Sequence, residues 1–238
     1  MPLSDRVAIV AGADGGLGRV VSRELAAAGV RLALIGRHQE HLDATGLALG
    51  VPADRWVGLT ANLLDRAETE RMVATVVERF GRLDILAHLI GGYTGGTAVA
   101  DLADADMTGM LGQHLWTTLN ATRAVTPHLT ATGWGRIVAV STPVAAEPPP
   151  KMAPYAVGKA AEEALLGTLA REVAGSGVTV NVIRVRKIDI DHARDAIDAP
   201  KGAASWTSPE EIAATILYLC SDAAGMVNGA RIPVHGGA

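Results

Sequence analysis

Seven short runs rich in β-branched and aliphatic residues punctuate this chain, and helical patterns fill the gaps between them. The runs are VAIV (7–10), RLALI (31–35), WVGL (56–59), LDILAHLI (83–90), RIVAV (136–140), VTVNVI (178–183) and RIPV (231–234). Most are apolar throughout instead of alternating, the mark of strands covered on both faces. In RAETERMVATVVERF, residues Met72, Val73, Val76, Val77 and Phe80 form one helical stripe, and segments 17–29, 108–131, 155–174 and 209–221 read likewise. Ser208 before Pro209 and two glutamates signals a helix start. Seven strands alternating with about six helices predict an α/β fold with a parallel, doubly wound sheet. Pro233 puts the last strand at an edge.

Composition supports one such domain over 1–238, since 49% hydrophobic and 19% charged residues suit a packed core. Aromatics are 3%, so the core is built from Ala, Val, Leu and Ile. A net charge of -4 without a basic block argues against nucleic acid as a partner. The lone Cys220 excludes an internal disulfide and reads as a small apolar helix residue. No apolar run approaches the length of a spanning helix, and MPLSDRVAIV has no signal-peptide layout, so the expected location is the cytoplasm without membrane contact. The irregular stretches 91–107, 141–154 and 187–207 follow strands 4, 5 and 6, where such sheets bind ligands.

The first strand runs into AGADGGLGR, with Gly12, Gly16 and Gly18 opening a helix. Glycine lets backbone amides and a helix N-terminus close on a pyrophosphate. After the second strand, Gly36 and Arg37 stand where a carboxylate would accept from an adenosine ribose hydroxyl. A guanidinium there favours a 2'-phosphate, hence NADP(H) with NAD(H) as the alternative; a solvated surface arginine is the other reading. His38 and His41 lack a third ligand, and no metal site is expected. Further on, APYAVGKAA puts Tyr155 and Lys159 on one helix face, where an ammonium lowers the phenol's pKa and readies it as a proton donor.

In order, AGADGGLGR, LDILAHLIGG, GRIVAVST, APYAVGKAA, GVTVNVI and ARIPVHGG make the chain resemble the short-chain dehydrogenase/reductase family over nearly its whole length. The resemblance implies a Rossmann-type sheet in the order 3-2-1-4-5-6-7 and a nicotinamide cofactor. It also implies an active site in which Tyr155 and Lys159 act with a serine and usually an asparagine. Thr142, preceded by Ser141, takes the serine position, and His114 the asparagine position. His114 is open to three readings: a hydrogen bond to a relay water, proton exchange in its own right, or a buried structural histidine. The cofactor would meet Gly12, Asp14, Gly16, Leu17 and Gly18 at the phosphate loop. Arg37, Asn62, Leu63 and Gly91 would flank the adenosine, with Asn62 accepting from the adenine amino group, and Ile188 would hold the carboxamide through its backbone, beside Tyr155 and Lys159.

Two departures crowd this site: Ile90 replaces a small residue, and Ile190 stands where a threonine is usual. Arg184, Arg186 and Lys187 form a basic cluster at the cleft mouth, read as a substrate-anion site or a solvated surface. LIGGYTGG resembles the dihydropteridine reductase-like branch, with Tyr93, Trp116 and Trp206 as candidate walls of a flat slot. The expected function is hydride transfer between nicotinamide and a carbonyl, alcohol or imine of a small-molecule substrate. A pteridine reductase and a non-catalytic dinucleotide-binding protein are the alternatives. By resemblance, helices 108–131 and 155–174 would pair between copies in a dimer or tetramer, and 187–207 would form a substrate lid.

Overall fold

The computed structural model describes residues 3–236, so the ends of the expected 1–238 unit lie outside the described residues. The strands are β1 (Val7–Ala11), β2 (Arg31–Gly36), β3 (Trp56–Thr60), β4 (Ile85–His88), β5 (Gly135–Ser141), β6 (Val178–Arg184) and β7 (Arg231–Pro233). All pair in parallel, in the order β3-β2-β1-β4-β5-β6-β7, as expected. Pro233 lies in β7 at the sheet edge, where its missing N–H costs no ladder bond.

Helices α1 (Gly16–Ala27), α2 (Gln39–Ala48), α3 (Arg66–Phe80), α4 (Asp104–Leu111), α5 (Thr117–Ala131), α6 (Ala153–Glu172) and α7 (Pro209–Cys220) connect the strands. Two apolar clusters bury the opposite sheet faces. One joins Ile9, Leu86 and Ile137 to Val76, Val125 and Leu166; the other joins Val10, Leu34 and Ile85 to Leu25, Ile212 and Ile216. Ser208 caps α7 in a reciprocal box, accepting from Glu211 N while its own N–H donates to Glu211.

Helix α2 is absent from the sequence expectation, because only Leu42, Thr45 and Gly46 of its ten residues are buried and its apolar stripe is faint. Gly46 admits the Trp56 ring, which would lie 2.2 Å from a Cβ there. The expected strand 83–90 shortens to Ile85–His88, although Asp84 N still donates to Val7 O and Asp84 O accepts from Arg136 N, while its side chain binds arginines. The expected helix 108–131 is two helices joined by a π-helical turn, Gly112–Trp116. Cys220 is fully buried and burial pushes its thiol up to about 12, in keeping with a packing role. No helix among the described residues is long and apolar enough to cross a membrane.

Register sets the cleft. Ala11 is level with Ile35 on one side and His88 on the other, so the segments leaving β1, β2 and β4 emerge together. Ala139 continues that row on β5, and the chain leaves β5 and β6 beside it.

Candidate active site

The turn after β1 is made by glycine for steric reasons. Gly12 has φ +87°, in the left-handed region that favours glycine, and a Cβ on Gly18 would lie 2.0 Å from the Gly12 carbonyl oxygen. The loop therefore folds tightly over the start of α1 and leaves backbone amides toward an anion. Gly12, Asp14, Gly36, Arg37, Asn62, Leu63, Ile90 and Gly91 line a cavity of about 730 Å³. A neighbouring lobe of about 390 Å³ shares Gly12, Gly15, Leu89, Ile90 and Gly91, adds Gly16, Leu17 and Gly18, and reaches Ser141, His114, Tyr155, Lys159 and Ile188. The two lobes form an elongated cleft, and its glycine cradle fits a dinucleotide.

The carboxylate missing from β2 has a counterpart that sequence reading did not assign there. Asp14 lays its side chain on Gly36, within 2.8 Å of where a Cβ on that glycine would be. Any side chain at position 36 would displace it. Arg37 is exposed and makes no hydrogen bond or ion pair among the described residues. The Asn62 amide oxygen, expected to face adenine, accepts from Leu64 N at 3.1 Å, which leaves one lone pair. Asn120 of α5 holds this loop by donating to Leu63 O and Leu64 O.

Tyr155 lies in the first turn of α6, whose start holds Pro154, and its ring meets His114 and Tyr93 edge-on at 5.6 and 5.3 Å. Close approach of α6 to the π-turn needs Gly158: a Cβ there would lie 2.9 Å from Met110 O and 3.0 Å from the His114 ring. Of the two hydroxyl candidates, Thr142 meets the phenol, whereas Ser141 lies beside the Glu163 carboxylate. Thr142 continues the extended backbone of β5, so the neighbours face opposite ways. Thr142 also caps the next turn by accepting from Val144 N.

Lys159 departs from expectation. Its ammonium is buried and donates to Val140 O at 2.7 Å and to Glu162 Oε2 at 2.6 Å, so its charge is already met. The phenol of Tyr155 is accordingly raised, not lowered: burial dominates, the Thr142 hydrogen bond opposes it, and the Glu162 charge adds to the rise.

His114 is fully buried on the π-turn and its Nε2 donates to Gly92 O at 3.1 Å, which leaves Nδ1 unprotonated and without a partner. Burial, then the Lys159 charge, lowers its pKa to about 3, so the ring is neutral near pH 7. His88, missed in the sequence, is buried beside it and lowered to about 3 by the same causes. Its Nε2 faces the Thr117 hydroxyl at 3.4 Å, and that hydroxyl donates to Gln113 O.

The basic cluster at the mouth divides. Arg184 forms a forked pair with Glu163, which Arg231 also binds, so only Arg186 and Lys187 line the cleft. Lys187 sits 3.3 Å above the Trp206 ring. Trp206 and the half-exposed Trp116 border neither lobe, and only Tyr93 of the three aromatic candidates does. Ile188 bridges Thr207 through bonds made by Lys187 O and Asp189 N, and its own N–H and C=O stay out of that ladder. Ile90 lines both lobes, and Ile190 rests on Gly16, 2.8 Å from where a Cβ would be.

A parallel sheet in this order with a glycine cradle at its crossover defines a dinucleotide-binding Rossmann-type protein. The chain matches the short chain dehydrogenase family over residues 6–200, and it belongs to that family of oxidoreductases. It is 30% identical to a D-threitol dehydrogenase of Mycolicibacterium smegmatis, with 99% of this chain and 93% of that protein covered. The structure of levodione reductase superposes with a TM-score of 0.88 at 25% identity, covering 98% of this chain and 97% of the other. A 3-ketoacyl-(acyl-carrier-protein) reductase from Brucella melitensis, solved with NADH, shares the fold at 22% identity and a TM-score of 0.87, with 99% and 98% covered. The match is to the family at large and does not single out the dihydropteridine reductase-like branch.

Proposed function

We propose that this protein transfers a hydride between a nicotinamide dinucleotide and a carbonyl, alcohol or imine carbon of a small molecule, with Tyr155 as the acid and base. The observation that carries the reading is the placement of Tyr155 and Lys159 along a lobe continuous with the glycine cradle, with the Thr142 hydroxyl on the phenol. When bound, the nicotinamide supplies the hydride. The amides of the Gly12–Gly18 turn hold the pyrophosphate, Leu63 and Asn62 flank the adenine, and the free N–H and C=O of Ile188 meet the carboxamide. Tyr155, protonated at neutral pH, delivers its proton to the substrate oxygen or nitrogen while Thr142 orients that atom. Lys159 offers its remaining N–H to the nicotinamide ribose.

NADP(H) is the preferred cofactor on the strength of the unpaired Arg37, and the Asp14 carboxylate moderates that preference enough for NAD(H) to bind too. Tyr93, 60% exposed and edge-on to Tyr155, gives a flat substrate such as a pterin one wall. Copies associate through the outer faces of α5 and α6, where the neighbouring Trp116 and Val157 are exposed. Sedimentation as a monomer would remove that part.

Tyr155→Phe tests the core of the reading. NADPH oxidation against a panel of carbonyls and quinonoid dihydropterin is expected to fall by a factor of about 100 or more, with NADPH binding retained. Full turnover by the variant contradicts the assignment. Binding by the wild type without oxidation on any substrate supports the non-catalytic alternative instead.

A further inference from the structure

Glu162 plays no part in the reading above, yet it is the carboxylate closest to the chemistry. It lies one helical turn from Lys159, is 0% exposed, and places Oε2 2.6 Å from the ammonium. Its other oxygen faces the Thr118 hydroxyl at 3.2 Å, but that hydroxyl also faces His114 O at 2.6 Å and has one proton for the two acceptors. Burying an acid with a single cation and half of a hydroxyl is costly, and an apolar residue of similar size is the cheaper way to fill such a site. Fold stability therefore gives no reason for an acid at this position.

The neighbouring groups supply a reason. Around Tyr155 and Lys159 stand His114 on the π-turn, His88 at the end of β4, Tyr93 beyond it, and Thr142 after β5. Both histidines are neutral at physiological pH. Glu163, the other acid on this part of α6, is engaged by Arg184 and Arg231. Burial pushes the Glu162 carboxyl above its usual range, while the Lys159 ammonium and the Thr118 hydroxyl oppose that rise. As a carboxylate paired with the ammonium, it is the one negative charge among these groups that offsets Lys159.

We propose that Glu162 is a positioning residue that clamps the Lys159 ammonium against Val140 O and cancels its charge at Tyr155. The pair keeps Tyr155 a neutral phenol in the cofactor-free protein. Its influence on Tyr155 is direct, since the Glu162 charge itself opposes phenol ionisation. The inference rests on the reading of Tyr155 as the proton donor, but it concerns a property measurable without substrate or cofactor.

The test is the phenolate absorbance of the cofactor-free protein followed against pH, with the Tyr155→Phe trace subtracted so that Tyr93 and Tyr218 cancel. Glu162→Gln keeps the shape and removes the charge, and the Tyr155 midpoint is expected to fall by about one pH unit or more. Lys159→Met is expected to move it upward. A Glu162→Gln midpoint that is unchanged or higher overturns the proposal. Should Glu162→Gln fail to fold, the double variant Lys159→Met/Glu162→Leu removes both charges at similar volume, which buried pairs tolerate. It is expected to titrate near the wild type, and titration matching Lys159→Met alone overturns the proposal equally. The two readings fail separately: full turnover by Tyr155→Phe removes the donor assignment, whereas a dead Tyr155→Phe with an unresponsive midpoint removes only the role of Glu162.

Discussion

Asp84 and Glu162 are both carboxylates at 0% exposure in one small protein, and their surroundings differ sharply. Asp84, just before β4 at the amino end of the sheet, accepts from Arg6 at 2.9 Å, from two nitrogens of Arg82 at 2.8 and 2.6 Å, and from Val7 N at 2.9 Å. Two cations and a backbone amide saturate it, and Arg6 and Arg136 stack on Trp134 nearby at 3.7 and 4.2 Å. Glu162, toward the carboxyl end, has one cation and a shared hydroxyl, with the unpartnered Nδ1 atoms of His88 and His114 in the same region. A buried acid that closes its own hydrogen bonds ties strands and loops together. One left under-supplied beside a cleft keeps charge available to the groups around it.

Breaking the amino-end cluster should give the largest loss of stability. Asp84→Asn leaves Arg6 and Arg82 without their counter-charge and is expected to cost about 3 kcal/mol in urea unfolding, with NADPH affinity within about twofold of wild type. A cost below about 1 kcal/mol would erase the contrast between the two acids.

Next in size is acid sensitivity at the carboxyl end. His88 and His114 protonate near 6.5 when unfolded but only at about 3 when folded. The unfolded chain thus binds more protons between those values. The contribution to stability is complete above pH 6.5 and is lost as pH falls toward 3. Between pH 7 and pH 5 each histidine's share of that loss in urea-unfolding stability is about 2 kcal/mol, and His88→Asn should remove its share. Equal acid loss in the variant would place the sensitivity elsewhere.

Smaller effects concern binding. Gly18→Ala forces a Cβ onto Gly12 O and is expected to raise the NADPH dissociation constant at least about tenfold in a tryptophan-quenching titration. Unaltered binding would detach the cradle from the dinucleotide. Smallest is the discrimination between cofactors: Arg37→Ala should weaken NADPH several-fold more than NADH, and Asp14→Asn should shift the ratio the other way. Equal ratios in both variants would remove the two residues from cofactor choice.

The strands were legible because those covered on both faces are apolar runs, their order followed from the family resemblance, and the cradle was legible because glycine at Gly12 and Gly18 has a steric cause visible in spacing. Helix α2 escaped notice because so little of it is buried. Glu162 was in reach, standing three residues after Lys159 on the same helical face. Its partnership with Thr118 of α5 was not, since that depends on how two helices pack. The placement of Asp14 on Gly36 likewise arises from the approach of two separate loops. The lysine's effect on Tyr155 was misjudged for the same reason: sequence shows the ammonium, and packing supplies the carboxylate that neutralises it.

The central claim is that this cleft seats a nicotinamide dinucleotide with its reactive ring beside Tyr155. A crystal structure of the protein soaked with NADPH tests it most directly. The account predicts pyrophosphate on the Gly12–Gly18 turn, the nicotinamide ribose on Lys159, and the ring facing the Tyr155 hydroxyl past Ile90 and Ile190. A cleft still empty at saturating NADPH, or a bound ring with Tyr155 turned from it, would contradict the account.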